Sequence, residues 1–122
     1  MTVNKPHKNL EAWKKAIALT TKIYKLTDQL PEAEKFGLVS QMRRAAVSVA
    51  SNIAEGAARN TKKEFVQFLF TAQGSLSELD TQIIICKKLG FFSDKHCESI
   101  DQEMEAESKL IAGLIRYLRK EK

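Results

Sequence analysis

No run of apolar residues in this 122-residue chain approaches the ~20 that a membrane-spanning helix requires, so no membrane association is expected. Two prolines and five glycines are too few for collagen-like or low-complexity chains. The two cysteines, Cys86 and Cys97, cannot build a disulfide framework, and a reducing compartment would keep both as thiols. They flank a turn near Gly90. A bridge between them, or a metal shared with His96, is one reading; the other makes Cys86 a small core residue. Histidine occurs only at His7 and His96. Neither has a glutamate three residues before it, which closes the di-metal carboxylate option. Gly-rich phosphate loops, nucleophile elbows and HExxH are all missing, so no enzyme and no cofactor are expected. The opening MTVNKPHKN has no apolar centre of the kind a secretory signal needs, which makes the cytoplasm the expected location.

What is present is helical. With 43% hydrophobic and 29% charged residues the chain suits a single domain spanning residues 1–122. Two stripes at three- and four-residue steps run along a first helix over about 10–30: Leu10, Trp13, Ile17, Thr20, Tyr24 and Thr27, and beside them Ala12, Ala16, Leu19, Ile23, Leu26 and Leu30. Pro31 closes it. A second helix over 37–59 carries Leu38, Met42, Ala45, Val49 and Ile53 on one seam. A third, over 62–89, carries the heptad series Phe65, Leu69, Ala72, Leu76, Leu79, Ile83 and Cys86. Thr61 with Glu64 is a capping-box spacing at its start, and Gly90 suits the left-handed position after its end. A fourth helix spans 94–119, acidic early and basic at Arg116, Arg119 and Lys120, which complements its dipole. Similar lengths, short loops and no strand pattern predict an all-α fold, an antiparallel up-down-up-down four-helix bundle.

The segment QMRRAAVSVASNIAEGAARN, from Gln41 to Asn60, is the most informative. Asn and Gly each cost a helix interior about 0.5 to 1 kcal/mol relative to Ala, so Asn52 and Gly56 need a hydrogen-bonding or packing reason. Arg43, Arg44, Ser48, Asn52 and Glu55 form a polar stripe. If helices two and three fold back about Asn60 and Thr61, that stripe meets Thr71, Ser75, Glu78 and Gln82. The expected structural polar layer is therefore Arg43, Arg44, Ser48, Asn52, Glu55, Ser75 and Glu78, with Arg43 or Arg44 paired to Glu78. Such a pair is favourable only when well hydrogen-bonded, because desolvation can match its attraction. An acid-base role for Glu55 and Glu78 is outweighed by this ion pairing.

Helices one and three carry more apolar surface than one seam uses, with Val66, Phe68 and Phe70 outside the heptad series. That surplus either widens the internal core or meets another subunit, and the second is the expectation. The formal net charge of +5 permits attraction to an anionic partner. Basic residues are spread over all four helices, as on ordinary solvated faces. RNA binding through shape and charge would use Arg59, Lys62, Lys63, Lys14, Lys15 and Lys22.

Three blocks, LEAWKKA, FGLVSQMRRAAVSVASNIAEG and EFVQFLFTAQGSLSELDTQ, stand in an order that resembles the bacterial four-helix-bundle proteins encoded in intervening sequences of 23S ribosomal RNA genes. The matching positions are Gln41, Arg43, Arg44, Ser48, Asn52, Ile53, Ala54, Glu55 and Gly56, then Gly74, Ser75, Leu76, Glu78 and Leu79. Gln73 departs from many members, which have a basic residue there. The resemblance implies a non-catalytic ring, typically a homopentamer. It is also similar to accessory proteins of diversity-generating retroelements, where such a ring binds a reverse transcriptase and nucleic acid. Two expectations follow: a ring that contacts RNA, or a protein-interaction scaffold that docks a partner.

Overall fold

The computed structural model describes residues 6–120. The start of the segment read for an export signal, residues 1–5, lies outside them. Four helices account for most of the rest: α1 (Glu11–Thr27), α2 (Ser40–Ala57), α3 (Lys62–Lys88) and α4 (Asp94–Lys120). No strand occurs among the described residues.

Contacts fix the direction of each neighbour. Thr20 of α1 reaches the Ala46 carbonyl of α2, while Thr27 and Asp28 reach Arg43, so numbers rise on one helix as they fall on the other. Between α2 and α3, Ser48 meets Ser75, Gly56 meets Phe65 and Met42 meets Cys86. Lys62 shares a cavity with Leu118 at one end of α3 and α4, and Asp80 shares another with Asp101 nearer the far end. Lys22 of α1 pairs with Glu103 of α4, and Leu10 lines a cavity with Leu114. Every adjacent pair is antiparallel, which is the up-down-up-down bundle.

Local chemistry sets the helix ends. Leu30 donates to the Thr27 carbonyl and Gln29 to that of Leu26, tightening the chain ahead of Pro31, so α1 stops three residues before the predicted end. A wider turn, Lys35–Val39, then leads into α2, kinked at Gly37 and braced by the Glu34 carboxylate, which accepts from the Leu38 amide at 3.3 Å. Thr61 caps α3, accepting from the Glu64 amide at 3.1 Å. Gly90 takes φ +78 after α3, and Ser93 accepts from the His96 amide to start α4.

The core is built from Ala16, Leu19 and Ile23 of α1, Met42, Val49 and Ile53 of α2, Leu69, Leu79 and Cys86 of α3, and Ile100, Met104 and Ile111 of α4. On α1 the Ala12 to Leu30 stripe faces inward throughout. The Leu10 to Tyr24 stripe faces the rim beside α2: Trp13 and Thr20 are half-buried, and Ile17 and Tyr24 are exposed. The predicted surplus on α3 is only partly realised. Val66 is buried within the protomer and Phe68 is half-buried against α2, whereas Phe70 remains 40% exposed. Ile84 and Ile85, unremarked in the heptad reading, are also exposed. The close approach of α2 at Gly56 draws Phe65 and Phe68 inward.

Both cysteines are free and buried. The Cys86 thiol donates to the Met42 sulfur at 3.7 Å, and burial, helped by the nearby Cys97 and Glu34 charges, pushes it up to about 11. Burial also raises the Cys97 thiol, against the opposing charge of Lys87. His96 is exposed, and no cluster of metal ligands occurs among the described residues.

Candidate nucleic-acid interface

The polar stripe of α2 divides between two neighbours. Ser48, Asn52 and Ser75 come together: the Asn52 amide donates to the Ser48 carbonyl at 2.8 Å and to its hydroxyl at 2.9 Å. That hydroxyl also shares a hydrogen bond with the Ser75 hydroxyl at 2.8 Å, in which either oxygen can donate. Asn52 thus holds its helical position by tying down a hydroxyl that bridges to α3. Glu55 faces solvent and lies 3.8 Å from Arg59 one turn on.

Neither arginine pairs with Glu78. Arg43 turns the other way, to α1: its Nε donates to Thr27 Oγ1 and its Nη2 to Asp28 Oδ1, both at 2.9 Å, and the guanidinium lies 4.4 Å above the Tyr24 ring. Arg44 is exposed and makes no ion pair among the described residues. Glu78 is exposed and accepts only a long bond, 3.5 Å, from Gln82. Counting back from the turn gave the height closely at Ser48 and Ser75 and less well beside Arg43, where Met42 meets Cys86. It did not give the angle around α2, where Met42 and Ala46 take the core and leave Arg43 on the α1 side.

The six basic positions predicted for RNA also separate. On α1, Lys22 is held by Glu103 at 2.6 Å and Lys14 by Glu11 at 3.6 Å. Lys15 is half-buried and acts electrostatically on Glu107. These three belong to the α1 flank and its carboxylates. Arg59, Lys62 and Lys63 instead stand at the end of the bundle where α2 turns into α3 and where α4 finishes. Lys62, Lys63 and Arg119 line one cavity of about 350 Å³ with Val66, Gln67 and Leu118. Arg116 and Lys120 extend the positive end, and both are exposed.

Two aromatic rings fix the guanidinium groups there. Arg59 lies 4.7 Å from the Phe68 ring centre, and Arg119 lies 5.0 Å from that of Phe70. Each contact restrains a long side chain while leaving its donors to solvent. Sequence reasoning assigned Arg119 to the helix dipole and missed this role. The available signal was its place in the last turn of α4, which an antiparallel hairpin brings beside the first turns of α3.

The outer seam of α3 and α4 has the opposite sign. Asp80 and Asp101 border two adjoining cavities of about 480 and 530 Å³, with Glu105 on one and Asp94 and Glu98 on the other. Charge is therefore polarised along this hairpin, basic at one end and acidic along its side.

Fold and surface together define a small all-helical bundle with a positively charged end. The chain belongs to the 23S rRNA-intervening sequence protein family, which it matches over residues 8–113. Among solved structures it is similar to a protein of unknown function from the S23 ribosomal protein family of Bacteroides thetaiotaomicron VPI-5482. The TM-score is 0.80 at 21% identity, over 86% of this chain and 95% of that one. No curated protein sequence matches it.

Proposed function

We propose that the chain works without catalysis, as a cytoplasmic homo-oligomeric ring, pentameric as the family resemblance implies, that binds RNA through its basic end. The carrying observation is the convergence of Arg59 from the α2–α3 turn, Lys62 and Lys63 from α3 and Arg119 from α4 on one end of the bundle. The α1 lysines that face carboxylates are outside this surface. The acidic α3–α4 seam repels a polyanion and so orients it toward the positive end. The family's name ties its members to ribosomal RNA genes, and RNA is the polyanion closest at hand.

Assembly is supported by apolar side chains that the protomer leaves uncovered. Ile17 and Tyr24 stand one above the other on the α2 side of α1, and Val47 is one helical turn beyond Arg43 on the α1 side of α2. An apolar strip along one seam suits burial against a second copy. A ring would also repeat the basic end around its axis and multiply weak phosphate contacts.

Salt titration of RNA binding tests the reading. Each phosphate neutralised contributes a slope of about −0.7 on single-stranded RNA, so four engaged cations predict a slope of roughly −3 in log affinity against log salt. Absence of binding at low salt would refute the RNA role and favour the scaffold, in which the ring docks a protein such as a reverse transcriptase.

A further inference from the structure

The two arginine–phenylalanine pairs at the basic end suggest which form of nucleic acid it takes. We infer that this end binds unpaired RNA in preference to duplex, with exposed bases stacked on the guanidinium planes of Arg59 and Arg119; the inference rests on the RNA-binding reading above.

A guanidinium is planar, and one that rests against a phenyl ring while remaining exposed, as Arg59 and Arg119 do, can offer a flat surface to a base. Phe68 backs Arg59 at 4.7 Å and Phe70 backs Arg119 at 5.0 Å. Phe68 and Phe70 are two positions apart on α3, which sets them on opposite flanks of the helix. The platforms thus bracket the outward strip of α3, where Lys63 and Gln67 are exposed. Glu55, 3.8 Å from Arg59, helps to hold that platform without covering it, since Arg59 is 46% exposed.

The cavity between α3 and the end of α4 completes the site. It is lined by Lys62, Lys63 and Arg119, the apolar Val66 and Leu118, and Gln67. Cations for phosphate, an apolar wall for a base face and an amide that both donates and accepts make a nucleotide-shaped set. Duplex RNA keeps its base faces stacked inside the helix and offers only phosphates and 2′-hydroxyls to such a surface. Only an unpaired strand can use every part of it.

Fluorescence anisotropy decides the matter, using a labelled unstructured 20-mer RNA and the same strand annealed to its complement, at one low salt concentration. The single strand should bind at least about tenfold more tightly, the worth of one or more base stacks. Arg119→Lys, which keeps the charge and loses one of the two planar platforms, should cut the preference several-fold and leave the share carried by Arg59. Phe70→Leu, which removes the ring behind Arg119, should do the same, with circular dichroism to confirm the fold of each variant. Equal or tighter binding of the duplex by the unmodified protein would overturn the inference while leaving the RNA-binding reading intact. So would full retention of the preference in both variants. Binding of neither RNA would overturn both.

Discussion

Gly56 of α2 lies so close to Phe65 of α3 that a methyl group on it would fall 2.8 Å from the ring's Cδ1 and 3.2 Å from the Phe65 carbonyl oxygen. The Phe68 Cβ is equally near, at 2.8 Å. Gly56→Ala therefore sets a gain in helix propensity of about 1 kcal/mol against overpacking that typically costs about 1 to 3 kcal/mol. The clash involves backbone and a Cβ, neither of which can swing aside, so net destabilisation is expected. Gly74→Ala is the control, because nothing lies within 4 Å of a methyl group there. Urea unfolding should show Gly56→Ala with a lower midpoint than the parent and Gly74→Ala with a higher one.

Glu107 predicts an unusual pH dependence. It is fully buried on α4, neither carboxylate oxygen has a hydrogen-bond partner, and burial pushes it up to about 8, against the opposing charge of Lys15 on α1. The folded protein then holds a proton that the unfolded chain releases near the ordinary carboxylate value. Stability from this group is complete below about 4.5 and is lost as pH rises toward about 8. Glu107→Gln keeps the shape and removes the titration. Compared with the parent, it should be more stable at pH 8 by roughly 2 to 4 kcal/mol, with the difference shrinking steadily toward pH 5. A constant offset across that range would contradict the assignment.

How much could be read from residues alone depended on whether period or azimuth was asked for. The helices, the Thr61 cap and the Gly90 turn follow from apolar spacing and local backbone chemistry, which act within a few residues. Asn52 and Gly56 were legible as anomalies, and each has its reason in α3 or in its own preceding turn. The partner of Arg43 was not legible, since residue counting across a turn fixes height and leaves rotation open. Glu107 was hidden by its type. It fills the gap between Met104 and Ile111 on the apolar side of α4, and a charged residue at a core position was passed over. Arg59, Lys62 and Lys63 were legible because they lie close together in the chain, whereas Arg119 was not, since only the antiparallel topology brings the end of α4 beside the start of α3.

The uncovered strip beside the α1–α2 seam predicts self-association. Sedimentation equilibrium at micromolar concentration should give a mass several-fold above the 13.8 kDa of one chain. Ile17→Glu combined with Val47→Glu places charges on this strip, where both side chains are already more than a third exposed and the fold loses little. The double variant should sediment as a monomer with undiminished helicity. A parent protein that is wholly monomeric would remove the assembly from the account.

The central claim is that RNA meets one end of the bundle, and ultraviolet cross-linking followed by peptide mass spectrometry addresses it directly. With an unstructured RNA bound at low salt, cross-links should concentrate in residues 59–70 and 116–120, which carry Arg59, Lys62, Lys63, Phe70 and Arg119. Cross-links concentrated on α1, around Lys14 and Lys22, or along the α3–α4 seam at Asp80 and Asp101, would contradict it.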